Sequence, residues 1–173
     1  MKSIIVSFVC FLTIIAASNL ATAQDDKAKR PSPPAVEKGV VNGSEIAVYY
    51  SRPAVKGRMI WGGLVPYGKV WRTGANEATV FETSKDLTLG GQKLPAGKYS
   101  LFTIPGEKEW TIILNSVHDQ WGAFKYDQAK DVVRFNVRPD KSNTFNEKLK
   151  FELMDGEVVM YWENMKVGFP INP

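Results

Sequence analysis

The sequence predicts an all-β fold, an antiparallel β-sandwich of jelly-roll or immunoglobulin-like type, and three observations predict it. From Val36 onward apolar residues recur with a period of two, the spacing of strands buried on one face. Gly, Pro and Asn clusters punctuate that pattern at short intervals, as turns between short strands do. Helical periodicity is confined to two short candidates, near Asp127–Lys130 and Ile60–Val65. Eight or more short strands with regular turns imply a sandwich or barrel.

The strands can be taken in order. Glu45–Ser51 places Ile46, Val48 and Tyr50 on one face. Thr79–Thr83 is a β-branched and aromatic run, and a short strand lies between Leu89-Gly-Gly-Gln92 and Leu94-Pro-Ala-Gly97. Lys98–Ile104 alternates, and Pro105-Gly106 separates it from Trp110–Leu114. Val133, Phe135 and Val137 oppose Arg134 and Asn136 within Val132–Val137. Lys148–Leu153 alternates most cleanly, with Leu149, Phe151 and Leu153 facing in. Asp155-Gly156 precedes Glu157–Trp162, and Glu163-Asn164 reads as a turn before Met165–Ile171.

Domain organisation follows from composition. Residues 1–23 read as a cleavable export signal: Lys2, an apolar run from Ile4 to Ala17, then Ala21-Thr22-Ala23 as the small-x-small cleavage pattern. The run is short for a membrane span, and no later stretch is apolar enough to be one, so a periplasmic or secreted location is expected. Residues 24–35, QDDKAKRPSPPA, read as a flexible linker, and residues 36–173 as one β-sandwich domain. Cys10, the single cysteine, lies in the signal, so the mature chain has no disulfide and no thiolate chemistry. At 44% hydrophobic and 23% charged residues, the chain is not a disordered one. Loss of Lys2 leaves a net charge of +3 in place of +4, too mild to argue for nucleic acid.

Residues 52–78 break the strand pattern. Loops of this length in compact domains tend to be functional when ordered, and Trp61, Tyr67 and Trp71 imply that this one is packed. Between Glu45 and Glu77 there is no acidic residue, while Arg52, Lys56, Arg58, Lys69 and Arg72 are positive and Tyr49 and Tyr50 add aromatic rings. Guanidinium groups match carboxylates and phosphates, and aromatic faces can stack on a sugar. The candidate ligand-binding set is Arg52, Lys56, Arg58, Trp71, Arg72, Asn76, Glu77 and Thr79. The competing structural expectation pairs Glu77 with Arg72 or Arg58 and pins the loop to the sheet. The stretch Trp121–Asp127 is either a loop capping one end of the sandwich or a second wall of the same pocket.

Catalytic patterns are sparse. His118 is the only histidine and sits beside Asp119 in a polar segment, so no His- or Cys-rich zinc site is expected. There is no Gly-x-Ser-x-Gly elbow and no phosphate-binding P-loop, and no metal or cofactor is expected. Glu77 with Glu82, Asp119, Asp127 or Asp131 could form a glycosidase-type pair, but any β protein offers such pairs.

Ser51-Arg-Pro-Ala-Val-Lys-Gly-Arg58, Leu64-Val-Pro-Tyr-Gly68, Val70-Trp-Arg-Thr-Gly-Ala-Asn-Glu-Ala-Thr79 and Leu94-Pro-Ala-Gly-Lys-Tyr-Ser-Leu-Phe-Thr-Ile-Pro105, together with Trp121-Gly122 and Tyr126-Asp127, resemble the family catalogued as Domain of Unknown Function 2911. The likeness spans about residues 36–171. It implies a secreted bacterial protein. The activity of that family is not established, so it assigns no catalytic residue. Three readings remain: a non-catalytic module binding a polar or small anionic ligand such as a carbohydrate, a structural or interaction domain of the cell envelope, and a glycan-directed hydrolase using Glu77.

Overall fold

The computed structural model describes residues 26–154 and 156–172. The stretch read as an export signal lies outside the described residues. Among those described, no helix is long and apolar enough to cross a membrane.

The fold is an all-β sandwich. Its first layer is a six-stranded antiparallel sheet in the order β1-β2-β3-β6-β7-β8. These strands are β1 (Pro34–Val41), β2 (Ser44–Ser51), β3 (Thr79–Thr83), β6 (Gly97–Ile104), β7 (Trp110–Asn115) and β8 (Asp131–Val137). The second layer is built on the long hairpin of β9 (Asp140–Met154) and β10 (Glu157–Pro170), and a small hairpin, β4 (Leu87–Leu89) and β5 (Gln92–Leu94), adds to the core. The six-stranded sheet is a meander: strands adjacent in the sheet follow one another in the chain, with the β4–β5 hairpin inserted between β3 and β6.

Period-two burial sorts the two faces. Ile46, Val48, Tyr50, Phe81, Leu101, Trp110, Ile112, Leu114 and Val133 point into the core. From the hairpin they meet Leu149, Phe151, Val158, Met160, Trp162, Val167 and Phe169. The layers touch closely where β1 crosses β9: a Cβ added at Gly39 would lie 3.2 Å from Leu153 Cδ1. The Tyr50 hydroxyl accepts a hydrogen bond from the Phe151 amide at 3.3 Å.

Residues 52–78 form a long ordered loop whose aromatic side chains join the core. Trp61, Trp71, Trp110 and Trp162 cluster with ring centroids 5.0–6.3 Å apart. Most of these pairs meet edge to face, the arrangement the aromatic quadrupole favours. Backbone bonds stitch the loop down on both sides. Val55 N–H donates to the Glu147 carbonyl at 2.8 Å, Leu149 N–H to the Pro53 carbonyl at 3.0 Å, and Trp71 and Thr103 exchange bonds at 2.8 and 2.9 Å.

Four local features depart from the sequence reading. Glu163-Asn164 is not a turn between strands: β10 runs through it with register shifts around Glu163, whose φ is 56°. This bulge flips the alternation, so Trp162 and Met165, three residues apart, both serve the core. Ile60–Val65 is a tight turn and not a helix. Gly62 at φ 79° bends the chain back, and its N–H donates to the Val65 carbonyl at 2.9 Å. The β4 strand was not expected. The boundary at Val36 falls inside β1, which starts at Pro34. The expected turn near Asp127–Lys130 is present as a 3-10 turn over Gln128–Lys130, capped by the Asp127 side chain.

Candidate functional site

The positive residues of the 52–78 loop do not converge. Arg52 is half-buried and its Nε donates to the Leu149 carbonyl at 3.1 Å. Arg58 donates to the carbonyls of Val55 and Ala54 in its own turn. Lys56 is exposed at φ 49°, and its backbone N–H donates to Glu147 Oε1 at 3.0 Å. Trp71 is buried, with its indole N–H on the Gly74 carbonyl at 3.1 Å. Arg72 is half-buried; burial lowers its pKa, and among the described residues its Nε has no hydrogen-bond acceptor. Two arginines and a tryptophan of the expected set are therefore committed to holding the loop.

The turn 71–79 is wound tightly by internal bonds. Thr73, a β-branched residue at φ 54°, donates through Oγ1 to Thr103 Oγ1 at 3.2 Å and to the Trp71 carbonyl at 3.3 Å. Thr79, fully buried, donates to the Thr73 carbonyl at 2.9 Å. Asn76, at φ 59°, donates to the Ser32 carbonyl at 2.9 Å and to Ser51 Oγ at 3.2 Å. Positive φ is strained for a β-branched residue, and these bonds hold it. The result is that Glu77 is presented at the surface.

Glu77 is paired neither with Arg72 nor with Arg58. Both of its carboxylate oxygens accept from Arg30 Nη1, at 2.9 and 3.0 Å, and Lys27 Nζ lies 3.2 Å from Oε1. Lys27 and Arg30 come from the segment read as a linker. Burial pushes the Glu77 carboxyl up, but a backbone hydrogen bond, the bonds from Arg30 and Lys27 and the Lys27 charge outweigh it and hold the pKa below the usual 4.5. The Glu77 contribution to docking this segment is thus complete above pH 4.5 and lost as pH falls through the depressed value. A carbon-detected NMR titration of the Glu77 carboxyl is expected to give a midpoint below 4.5 that rises in Arg30→Ala. A wild-type midpoint at or above the ordinary value would contradict the pairing.

The stretch Trp121–Asp127 lies beside Glu77. Ala78 N–H donates to the Gln120 carbonyl and Gly122 N–H to the Asn76 carbonyl, each at 3.0 Å, which sets Glu77 and Trp121 side by side. The rest of this segment covers the outer face of β6 and β7, where Phe102 and Ile113 are buried against Ala123 and Tyr126. Tyr126 donates to Asp131 Oδ2 at 2.6 Å and anchors it. Trp121 itself is left 56% exposed, with the Arg30 guanidinium 5.8 Å from its ring.

The outer face of β1–β3 stays open beyond this cover. Register places Val36 opposite Tyr49 and Tyr49 opposite Val80, with Lys38, Ala47 and Glu82 forming the next row. Two cavities lie along it. One, of about 470 Å³, runs from Glu77 and Lys27 past Pro34 and Val36 to Tyr49. The other, of about 440 Å³, runs from Tyr49 to Lys38, Glu45, Glu82 and Ser84. The ammonium groups of Lys38 and Lys98 stand 5.2 and 5.8 Å from the Tyr49 ring centroid. Among the described residues, Glu77 is the one carboxylate lining the first cavity. No cluster of three or more His, Cys, Asp or Glu suited to a metal occurs among the described residues.

Of the expected residues, Glu77 borders this groove, Asn76 and Thr79 shape the turn that presents it, and Arg52, Lys56, Arg58, Trp71 and Arg72 lie outside its lining. Lys27, Arg30 and Tyr49 were missing from the expected set. Tyr49 carried a signal, an aromatic at the outward position of an alternating strand; Lys27 and Arg30 carried none in sequence.

Over residues 32–171 the chain matches the family described as Protein of unknown function (DUF2911). No curated protein and no solved structure matches it.

Proposed function

We propose that this chain, which belongs to the DUF2911 family, is a non-catalytic module that binds a carbohydrate in the groove beside Glu77 and Trp121 and works outside the cytoplasm. One observation carries the reading: an exposed tryptophan is bridged to an ion-paired carboxylate that lines an open groove of about 470 Å³. An indole face offers a sugar ring a flat apolar surface. Glu77 accepts hydrogen bonds while Lys27 and Arg30 donate them, which suits hydroxyl groups that do both.

The charge balance favours a polar sugar over a strongly anionic ligand. Of the arginines that suggested an anion cradle, Arg52 and Arg58 bond to backbone carbonyls elsewhere and Arg72 lies outside the lining, and Lys27 and Arg30 already face a carboxylate. Among the described residues the lining of this cavity offers the hydrolase reading no second carboxylate, and Glu77, held ionised, is a poor proton donor. The apolar run from Ile4 to Ala17 and the Ala21-Thr22-Ala23 pattern support export. The envelope-domain reading draws support from the arginines that brace the loop and from Phe124 and Met59, 84% and 74% exposed.

A thermal-shift screen of residues 24–173 against neutral and acidic oligosaccharides tests the proposal. A ligand at about 100 times its dissociation constant adds roughly 2.7 kcal/mol to stability. Trp121→Ala is expected to melt with the wild type and to lose the ligand-induced shift. No shift from any glycan, or a shift that survives unchanged in Trp121→Ala, would overturn the assignment.

A further inference from the structure

We infer that the ligand of this groove is an extended chain of several linked, uncharged sugars, held at two subsites that share Tyr49; the inference rests on the carbohydrate reading above. The two cavities are consecutive. Both run along the open face of β1–β3 and both are lined by Tyr49. From Glu77 at one end to Ser84 at the other the lining follows the β3 segment for seven residue steps, about 23 Å at roughly 3.3 Å per residue. That length suits several sugar rings in line and is wasted on one.

Each subsite offers the same kit. The first is lined by Glu77 and Lys27, with Arg30 on the Glu77 carboxylate and Trp121 bridged to Glu77 beside it. The second has Tyr49 with Glu82, Glu45, Lys38 and Lys98, the Lys98 ammonium being 3.4 Å from Glu82. Charges of both signs are mixed along and beside the groove: Lys27 and Arg30 at Glu77, Lys98 at Glu82, and Lys38 and Glu45 in the second lining. A run of one sign would select an ionic polymer. Interspersed signs give fixed donors and acceptors with little net field, which favours hydroxyls over charged groups. The apolar side chains between them, Val36, Ala47 and Val80, give the ring faces something to lie on.

The test is a titration by length. Cello-, xylo-, chito- and malto-oligosaccharides of one to six units are titrated calorimetrically into residues 24–173. The dissociation constant of the preferred series is expected to fall at least about tenfold between two units and six, because the second contact becomes intramolecular. The double variant Lys38→Ala, Glu82→Gln removes the second subsite and is expected to bind six units only as well as it binds two. Binding that is already maximal with one or two units, or a six-unit affinity that the double variant leaves intact, overturns the extended site while the carbohydrate reading stands. Failure of all four series, with an acidic oligosaccharide bound instead, overturns the uncharged-chain inference. Failure of every glycan, acidic ones included, overturns the carbohydrate reading itself.

Discussion

Trp162→Ala is expected to lower the stability of the domain by about 3–5 kcal/mol, enough to drop the melting temperature by roughly 10 °C. Trp162 is 1% exposed, stacks on Trp71 at 5.8 Å and meets Trp61 edge-on at 5.7 Å. Truncation leaves a hole at the junction of the second layer with the 52–78 loop. The cost has a second component, because Trp61 and Trp71 are held from that side and the loop carrying them is the scaffold of Glu77. Urea denaturation of Trp162→Ala and Trp162→Phe separates the two effects. The phenyl ring keeps much of the packing, so its loss is expected to be the smaller. A Trp162→Ala variant as stable as the wild type would mean that the cluster does not hold the loop.

Asp131→Ala should cost about 2–3 kcal/mol, the penalty of leaving buried donors without an acceptor. The Asp131 side chain is 8% exposed and accepts from Asn115 Nδ2 at 2.8 Å, Tyr126 Oη at 2.6 Å and Arg134 Nη1 at 3.2 Å. It carries a separate titration signature. The Tyr126 phenol is pushed up to about 12 by burial, by its hydrogen bond to Asp131 and by that carboxylate's charge, with Arg134 opposing. Because the folded-state value lies above the ordinary 10.0, the contribution of this group is complete below pH 10 and disappears as pH rises toward 12. Alkaline ultraviolet titration of Asp131→Ala is expected to show Tyr126 ionising below its wild-type value of about 12, with burial still holding it up. Tyr126 anchors the segment that carries Trp121, so the same variant is expected to weaken glycan binding without touching the groove.

Strand positions were legible because burial on one face writes itself as alternation. The runs around Ile46–Tyr50, Thr79–Thr83 and Leu149–Leu153 stand where the pattern put them. The reading failed where a local device changed the phase. Around Glu163 the pairing with β9 is irregular and the alternation of β10 changes phase, which in sequence looks like the end of one strand and the start of another. At Ile60–Val65 an apolar, glycine-containing stretch has the composition of a short helix, and the positive φ of Gly62 is invisible to periodicity. The three-residue β4 is too short to show a period.

The candidate site was legible in part for a related reason. Charge and aromatic density marked the 52–78 segment as ordered, and its tryptophans do pack. Density in sequence does not say which way a side chain points, and Arg52 and Arg58 turn to backbone carbonyls. Conversely, Glu77 finds its partner 47 residues upstream, at Arg30. Trp121 meets Glu77 through an antiparallel bridge between segments far apart in the chain. Such long-range pairings are products of topology, and no local pattern encodes them.

The most direct test of the proposed carbohydrate site is the indole region of a nitrogen–proton NMR spectrum during titration with the best ligand of the thermal-shift screen. The chain has five tryptophans. Trp71, Trp110 and Trp162 are buried, Trp61 is half-buried against them, and Trp121 is exposed beside Glu77. The account predicts that the Trp121 resonance, assigned by its loss in Trp121→Phe, shifts with saturation while the other four stay in place. A ligand that saturates the protein and leaves the Trp121 signal unmoved would contradict it.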